Sequence, residues 1–343
     1  MTLAKLAEAV GTSISTVSKA FSGSREVSDT MRERIFRKAK EMGCFEKYYK
    51  RPASRPIIAL IFPEAESEYY ASRIAMLERE IASRGAEALV VLSHFNKERV
   101  LQLFSHLVYR VKVDGVIVAA CGGLIKNPDE VPLISFTSTR RGVPGNSDNV
   151  YVDVEQGIDE LVALIKEYGY KKIGYIGERL TSSRLRLLKK AMRRQGLPIY
   201  SKYIVQVDRR FAAGGAQGFD ELVRRGDVPE VIVAGYDYIA YGAMKQAKSH
   251  GYRIPDDVCF ASFDDLSTAD YMDVPLTSVR THTENVTKTL VDLLFKRIEN
   301  RYYRERQEIV VGTSVILRES LCRAEDRAVK NTNTITDKEN HHE

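Results

Sequence analysis

The chain has 343 residues, 44% hydrophobic and 29% charged, with 52 Lys+Arg against 46 Asp+Glu and a formal net charge of +6. This composition excludes disorder throughout, and at roughly 150 residues per domain the length predicts two or three domains. No run approaches the ~18 apolar residues of a membrane span, the first thirty residues lack the apolar core of a signal peptide, and Cys44, Cys121, Cys259 and Cys322 form no CxxC pair or metal spacing. The cysteines therefore read as reduced thiols of a cytoplasmic protein.

The first 55 residues hold twelve Lys/Arg against six Asp/Glu, so this segment carries the whole net charge. A basic module on a neutral body suggests a polyanion partner, most simply nucleic acid. Within it Leu3, Leu6, Ala7 and Val10 recur at helical spacing behind Thr2, a good N-cap. Gly11 breaks that helix, Ser13 caps a second from Ile14 to Phe21, and Gly23 ends it. Ser28 caps a third, from Asp29 to Met42, which Gly43 stops. Two short helices across a glycine-containing turn, with a bracing third, predict a helix-turn-helix over residues 1–43. Its second helix enters the major groove.

The run from Thr2 to Gly23, with Val27-Ser28-Asp29-Thr30-Met31-Arg32-Glu33-Arg34-Ile35 and Lys40-Glu41-Met42-Gly43, resembles the N-terminal signature of the lactose-repressor/galactose-repressor (LacI/GalR) family. The resemblance implies that Ile14, Ser15 and Lys19 read base edges while Ser13, Thr16 and Ser18 fix the helix on phosphate. Ser28, opening the third helix, completes the set facing DNA. In chemical terms Lys19 can donate to guanine, and Ile14 can only touch thymine methyls or sugar. The family normally follows this head with a hinge helix whose leucine wedges into the minor groove. Here the linker, residues 44–56, is short, proline-broken and without that leucine, so it is expected to bind phosphate and bend DNA little.

From residue 57 strands alternate with helices. A first series runs Ile57–Phe62, helix Tyr69–Arg84, Ala88–Leu92, helix Lys97–Val108, Gly115–Ala120 and Leu133–Phe136. A second runs helix Gly157–Tyr168, Ile173–Ile176, helix Ser183–Gln195, Tyr203–Val207, helix Gly215–Arg225, Val231–Ala234, helix Tyr238–His250 and Val258–Ser262. The Gly214–Gly218 cluster is read as opening its helix. Two such series predict an α/β body of two lobes, each a doubly wound parallel sheet, over residues 57–320, with ligand at strand carboxyl ends in the cleft between them. Leu276–Thr283 is placed to cross back between lobes, and residues 321–343 read as a polar, disordered tail. The resemblance extends over residues 2–320, through Ile254-Pro255-Asp256-Asp257-Val258, Phe263-Asp264-Asp265 and Pro275-Leu276-Thr277-Ser278-Val279, and implies a periplasmic-binding-protein-like sensor domain for sugars or related metabolites.

By the same resemblance the effector groups are Tyr69 and Tyr70, Arg184, Asp264 and Tyr236. Tyr69 and Tyr70 offer aromatic faces for a sugar ring or base, one of the two packing in the core. Arg184 and Asp264 either clamp hydroxyls or a carboxylate or pair with each other as a lobe-bridging salt bridge. Phe136 is either a further aromatic wall or core. Tyr236-Asp237 stands where the family has Asn-Asp, Leu187 replaces a glycine, and Thr137 and Val154 stand where acidic and amide groups are common, so the pocket is expected to take something other than the commonest sugars. No GxGxxG after a strand, no phosphate-binding GxxxxGK[ST] and no HExxH occurs, which argues against an enzyme, a cofactor and a metal. The sequence thus predicts a cytoplasmic repressor, a C2 homodimer on double-stranded operator DNA, whose affinity a small sugar-like effector controls. Two alternatives stay open: the same fold governed by a protein partner or by no effector, and a metabolite-binding protein with only non-specific nucleic-acid affinity.

Overall fold

A computed structural model describes residues 2–24, 26–49, 55–119, 125, 131–138, 147–300 and 305–323. The expectations for Cys121, the middle of the linker and most of the tail lie outside these residues. The described chain divides into two units: residues 1–151 with 283–311, and residues 152–282 with 312–343.

The first unit begins with three helices, α1 (Leu3–Val10), α2 (Ile14–Ser22) and α3 (Asp29–Glu41). Each starts where a hydroxyl was predicted to cap it. Thr2 accepts from the Lys5 amide at 3.4 Å, Ser13 from Thr16 at 3.0 Å and Ser28 from Met31 at 3.3 Å. Gly11 and Gly23 close α1 and α2 at φ 70° and 78°, left-handed values that favour glycine. The linker then forms an unpredicted single turn, α4 (Phe45–Tyr48). Its Phe45 stacks on Tyr49 and meets Phe36 edge-on.

The rest of this unit is a six-stranded sheet in the order β2-β1-β3-β4-β5-β11. Its strands are β1 (Ile57–Phe62), β2 (Glu87–Leu92), β3 (Gly115–Ala119), β4 (Leu133–Thr137), β5 (Asp148–Val152) and β11 (Glu308–Val311). Helices α5 (Glu68–Ser83), α6 (Lys97–His106) and α11 (Thr283–Glu299) accompany it. β1, β3 and β4 are buried on both faces, which is why they read as unbroken apolar runs. Gly115 lets α11 pack closely on β3: a Cβ there would lie 2.9 Å from the end of the Leu294 side chain, which would have to shift.

The head does not stand apart from this sheet. Its core residues Phe21, Ile35 and Phe36 belong to one apolar cluster with Leu107, Val108 and Tyr109 of a π-helical turn, Leu107–Val111, that follows α6. Phe36 and Tyr109 meet edge-on at 6.1 Å. Arg110 pairs with Asp29 at 3.2 Å, and the Lys112 ammonium donates to the Phe21 carbonyl at the end of α2.

The second unit repeats the plan. Its sheet runs β7-β6-β8-β9-β10-β12, parallel except for the β10–β12 pair. The strands are β6 (Ile173–Glu178), β7 (Ile204–Val207), β8 (Val231–Ala234), β9 (Cys259–Asp264), β10 (Thr277–Arg280) and β12 (Ser314–Ile316). Its helices are α7 (Val154–Glu167), α8 (Ser182–Arg194), α9 (Phe211–Arg224) and α10 (Asp237–Ser249). The glycine cluster at Gly214–Gly218 does not open its helix; it lies inside α9. A Cβ on Gly215 would sit 1.9 Å from the Ile239 carbonyl, and one on Gly242 1.8 Å from that of Ala212, so α9 and α10 touch backbone to backbone. Leu276–Thr283, read as a crossover, supplies β10 first and passes to the other unit only at Thr283.

Candidate DNA interface and ligand site

On α2 the apolar face of Val17, Ala20 and Phe21 is buried, and the opposite face is left to solvent. Ser13, Ile14, Ser15 and Ser18 are exposed, and Thr16 and Lys19 half-exposed. Ile14 is 52% exposed, an apolar side chain that nothing in the fold covers. Lys19 holds Glu26 at 2.5 Å, and Ser13 bonds the Thr16 hydroxyl at 2.8 Å, so both polar groups are pre-set on this face. Ser28 is exposed, with its hydroxyl committed to capping α3. Arg32 was counted among the basic residues, yet it is fully buried. Its guanidinium donates to the carbonyls of Ala20, Ser24 and Val27 and so ties the turn between α2 and α3, while burial lowers its pKa. Nothing short of the fold distinguishes this arginine from its exposed neighbours.

In each unit the candidate ligand groups gather at the carboxyl ends of the strands, where doubly wound sheets bind. In the first unit Tyr69 and Tyr70 open α5 just after β1 and meet edge-on at 4.9 Å. Both are half-buried rather than one being core and one free. Phe136, read as either an aromatic wall or core, is buried. Between them lies a residue that sequence reasoning missed: Arg73, 1% exposed, with its guanidinium 3.9 Å from the Tyr69 ring centre and 5.1 Å from that of Phe136. It also donates to the Tyr69 carbonyl at 3.0 Å. A basic residue one turn after paired tyrosines was the available signal.

In the second unit Arg184 and Asp264 pair at 2.7 Å with side chains only 15% and 6% exposed. Both belong to the same unit, so this is not the lobe-bridging salt bridge that the sequence left open. Arg184 also donates to the Gly235 carbonyl at 2.6 Å and lies 5.1 Å from the Phe263 ring centre. Asp264 holds φ at 101°, an uncommon conformation for a side-chain-bearing residue.

The sheet order reverses between β6 and β8, and there Tyr236 donates its hydroxyl to Glu178 at 2.6 Å and accepts from the Phe211 amide at 2.9 Å. Burial, then the Glu178 carboxylate, raise the Tyr236 pKa well above the ordinary tyrosine value, so the hydroxyl stays a donor. Glu178, Arg210 and Phe211 were not singled out from sequence. Arg210 lies 3.6 Å from Glu178 and over the Phe211 ring, and Phe211 takes φ 59° to open α9. Beneath them Asp237 is fully buried and accepts from Ser262, Ser278 and the Leu266 amide. Burial, then the charge of Asp264, push its pKa up to about 7. Among the described residues no cluster of His, Cys, Asp and Glu could hold a metal ion, and no helix is long and apolar enough to cross a membrane.

A profile described as a periplasmic binding protein-like domain matches residues 162–321. The ribose operon repressor of Haemophilus influenzae is 26% identical over 336 residues, 93% of this chain and 98% of its own. The chain is thus similar to LacI-family repressors over nearly its whole length. Two solved structures share the fold of this chain. The transcriptional regulator CelR in complex with cellobiose has a TM-score of 0.66 and 24% identity, covering 94% of this chain and 100% of its own. The lac repressor dimer bound to operator and the anti-inducer ONPF has a TM-score of 0.69 and 19% identity, covering 93% and 98%.

Proposed function

We propose that this protein belongs to the LacI/GalR family and is a sequence-specific transcriptional repressor whose operator affinity is set by a small, sugar-like ligand. The observation that carries the reading is the exposed face of α2: Ile14, Ser15 and Ser18 point to solvent on a helix capped at both ends and braced from behind by Arg32. A helix fixed this firmly, with an uncovered apolar residue and small hydroxyls outward, suits the major groove. The ribose operon repressor and the operator-bound lac repressor support the same assignment by similarity.

The ligand groups in this reading are Tyr69 and Tyr70 in one unit and Arg184, Tyr236 and Asp264 in the other. Ligand acts by favouring one conformation of the chain, and operator affinity shifts by the difference in its affinity for the two conformations. The protein works as a C2 dimer, matching a two-fold operator. The edge strand β2 supports pairing, since its apolar residues are not fully covered and Val90, with Leu101 of α6, is more than a third exposed. It acts in the cytoplasm and is not an enzyme.

Selection of duplexes from a random pool by the full-length protein tests the DNA reading, with recovery of one roughly palindromic sequence expected. An electrophoretic shift indifferent to sequence would refute it. Thermal unfolding across mono- and disaccharides, their phosphates and nucleosides tests the ligand reading. A ligand at one hundred times its Kd adds about 2.7 kcal/mol. A melting shift that Arg184→Met or Asp264→Asn abolishes supports the assigned site; silence across the panel favours control by a protein partner or by no effector.

A further inference from the structure

Helix α8 carries six cations, Arg184, Arg186, Lys189, Lys190, Arg193 and Arg194, and no acid. The fold uses three of them. Arg184 holds Asp264, Lys190 holds Glu155 at 2.7 Å, and Arg194 holds Glu155 and Asp159. Arg186, Lys189 and Arg193 fall at i, i+3 and i+7, along one stripe of the helix. They line a concavity of about 330 Å³ with Ser182, Leu185 and Gln206, and among the described residues no acid pairs with them.

Gln206 belongs to β7, one of the two edge strands of its sheet. It also lines a second concavity, of about 670 Å³, together with Arg209 and residues of α9. The two acids of this second hollow are already engaged. Asp220 accepts from Gln246 and lies 2.7 Å from His250, and Glu221 is held by Arg224 and Arg225. Both hollows therefore present uncompensated positive charge beside a sheet edge.

We propose that this face docks an acidic, extended segment of a partner protein, with Arg186, Lys189, Arg193 and Arg209 taking its carboxylates beside β7. Arg186 and Arg193 are roughly 10 Å apart along the helix at 1.5 Å per residue. Acidic residues at alternate positions of a strand repeat about every 6.7 Å, so two or three meet this stripe. An open sheet edge recognises extended backbone, and flanking cations select its side chains. Nucleic acid fits less well: no aromatic ring lines either hollow to stack a base, and a duplex would meet only the rim of so small a groove.

The test uses the full-length protein and a fluorescein-labelled decapeptide of alternating Asp and Thr, read by fluorescence anisotropy. Saturable, salt-sensitive binding is expected, weakened roughly tenfold or more in R186Q/K189Q/R193Q. An Asn-Thr decapeptide should not bind, and a control variant, R79Q/K97Q/K288Q, should bind like the parent. No saturable binding, or equal weakening in the control variant, overturns the proposal. So does loss of random-sequence duplex binding in the α8 variant alongside the peptide, which would make the face a nucleic-acid surface. A change in the α8 variant's sedimentation without peptide would instead make it an interface between copies, and also overturns it.

Discussion

Replacing Arg184 by methionine keeps the packing stem and removes the guanidinium. In the parent that group donates to the Gly235 carbonyl and to Asp264, whose side chain is only 6% exposed. The variant leaves a buried carboxylate without its counter-charge. Removing one partner of a buried pair costs about 3–5 kcal/mol, because desolvation of the survivor is no longer offset. For a folding unit of this size that corresponds to a melting shift of roughly 6–20 °C. A double-mutant cycle in urea apportions the effect. Asp264→Asn alone should also destabilise, while Arg184→Met/Asp264→Asn should recover about 2 kcal/mol or more of the summed losses, since no unpaired charge remains. The double variant, folded but without the clamp, then separates stability from ligand response. A single-variant loss below about 1 kcal/mol, or strictly additive losses in the cycle, would refute the reasoning.

Lys112→Ala removes the ammonium that caps the Phe21 carbonyl and lies over the Tyr49 ring. Losing it should cost about 1–2 kcal/mol locally and speed amide exchange at the end of α2 several-fold, and unchanged exchange there would mean that this contact does not help to hold the head. Lys19→Ala should weaken operator binding by about 1–3 kcal/mol and relax preference at one base pair per half-site; a uniform loss across sequences would make Lys19 a phosphate contact. Asp237 titrates near 7 in the fold against an ordinary 3.8, so the stability its neutral form gives is complete below pH 3.8 and lost as pH rises through about 7. The loss is on the order of a few kcal/mol, and Asp237→Asn should flatten that slope in urea titrations between pH 4 and 8. A slope retained in the variant would assign the dependence elsewhere.

The head was legible almost residue by residue, because caps and helix stops are local. Thr2, Ser13 and Ser28 each act on an amide three residues away, and Gly11 and Gly23 stop helices through their own φ. The unbroken apolar runs of β1 and β3 likewise announce strands covered on both faces. Arg184 and Asp264 were marked as candidate site groups only through the family resemblance, and their 2.7 Å pairing within one unit came from the fold. What the sequence by itself determined is therefore the short-range part of the protein: a capped basic head, alternating strands and helices, and residue types suited to DNA and a polar ligand.

Tertiary structure decided the rest, because it depends on partners far away in the chain. Strands β11 and β12 are short pieces that gain meaning only beside sheets laid down earlier. Arg32 and Arg110 look alike in a count of charges, yet one is sealed among carbonyls and the other joins the head to the first sheet through Asp29, 81 residues earlier. Tyr236 is tied to Glu178, 58 residues away, and α8 divides its six cations between the fold and solvent. Charge and periodicity say which side chains can bind; only packing says which are already engaged and which face water.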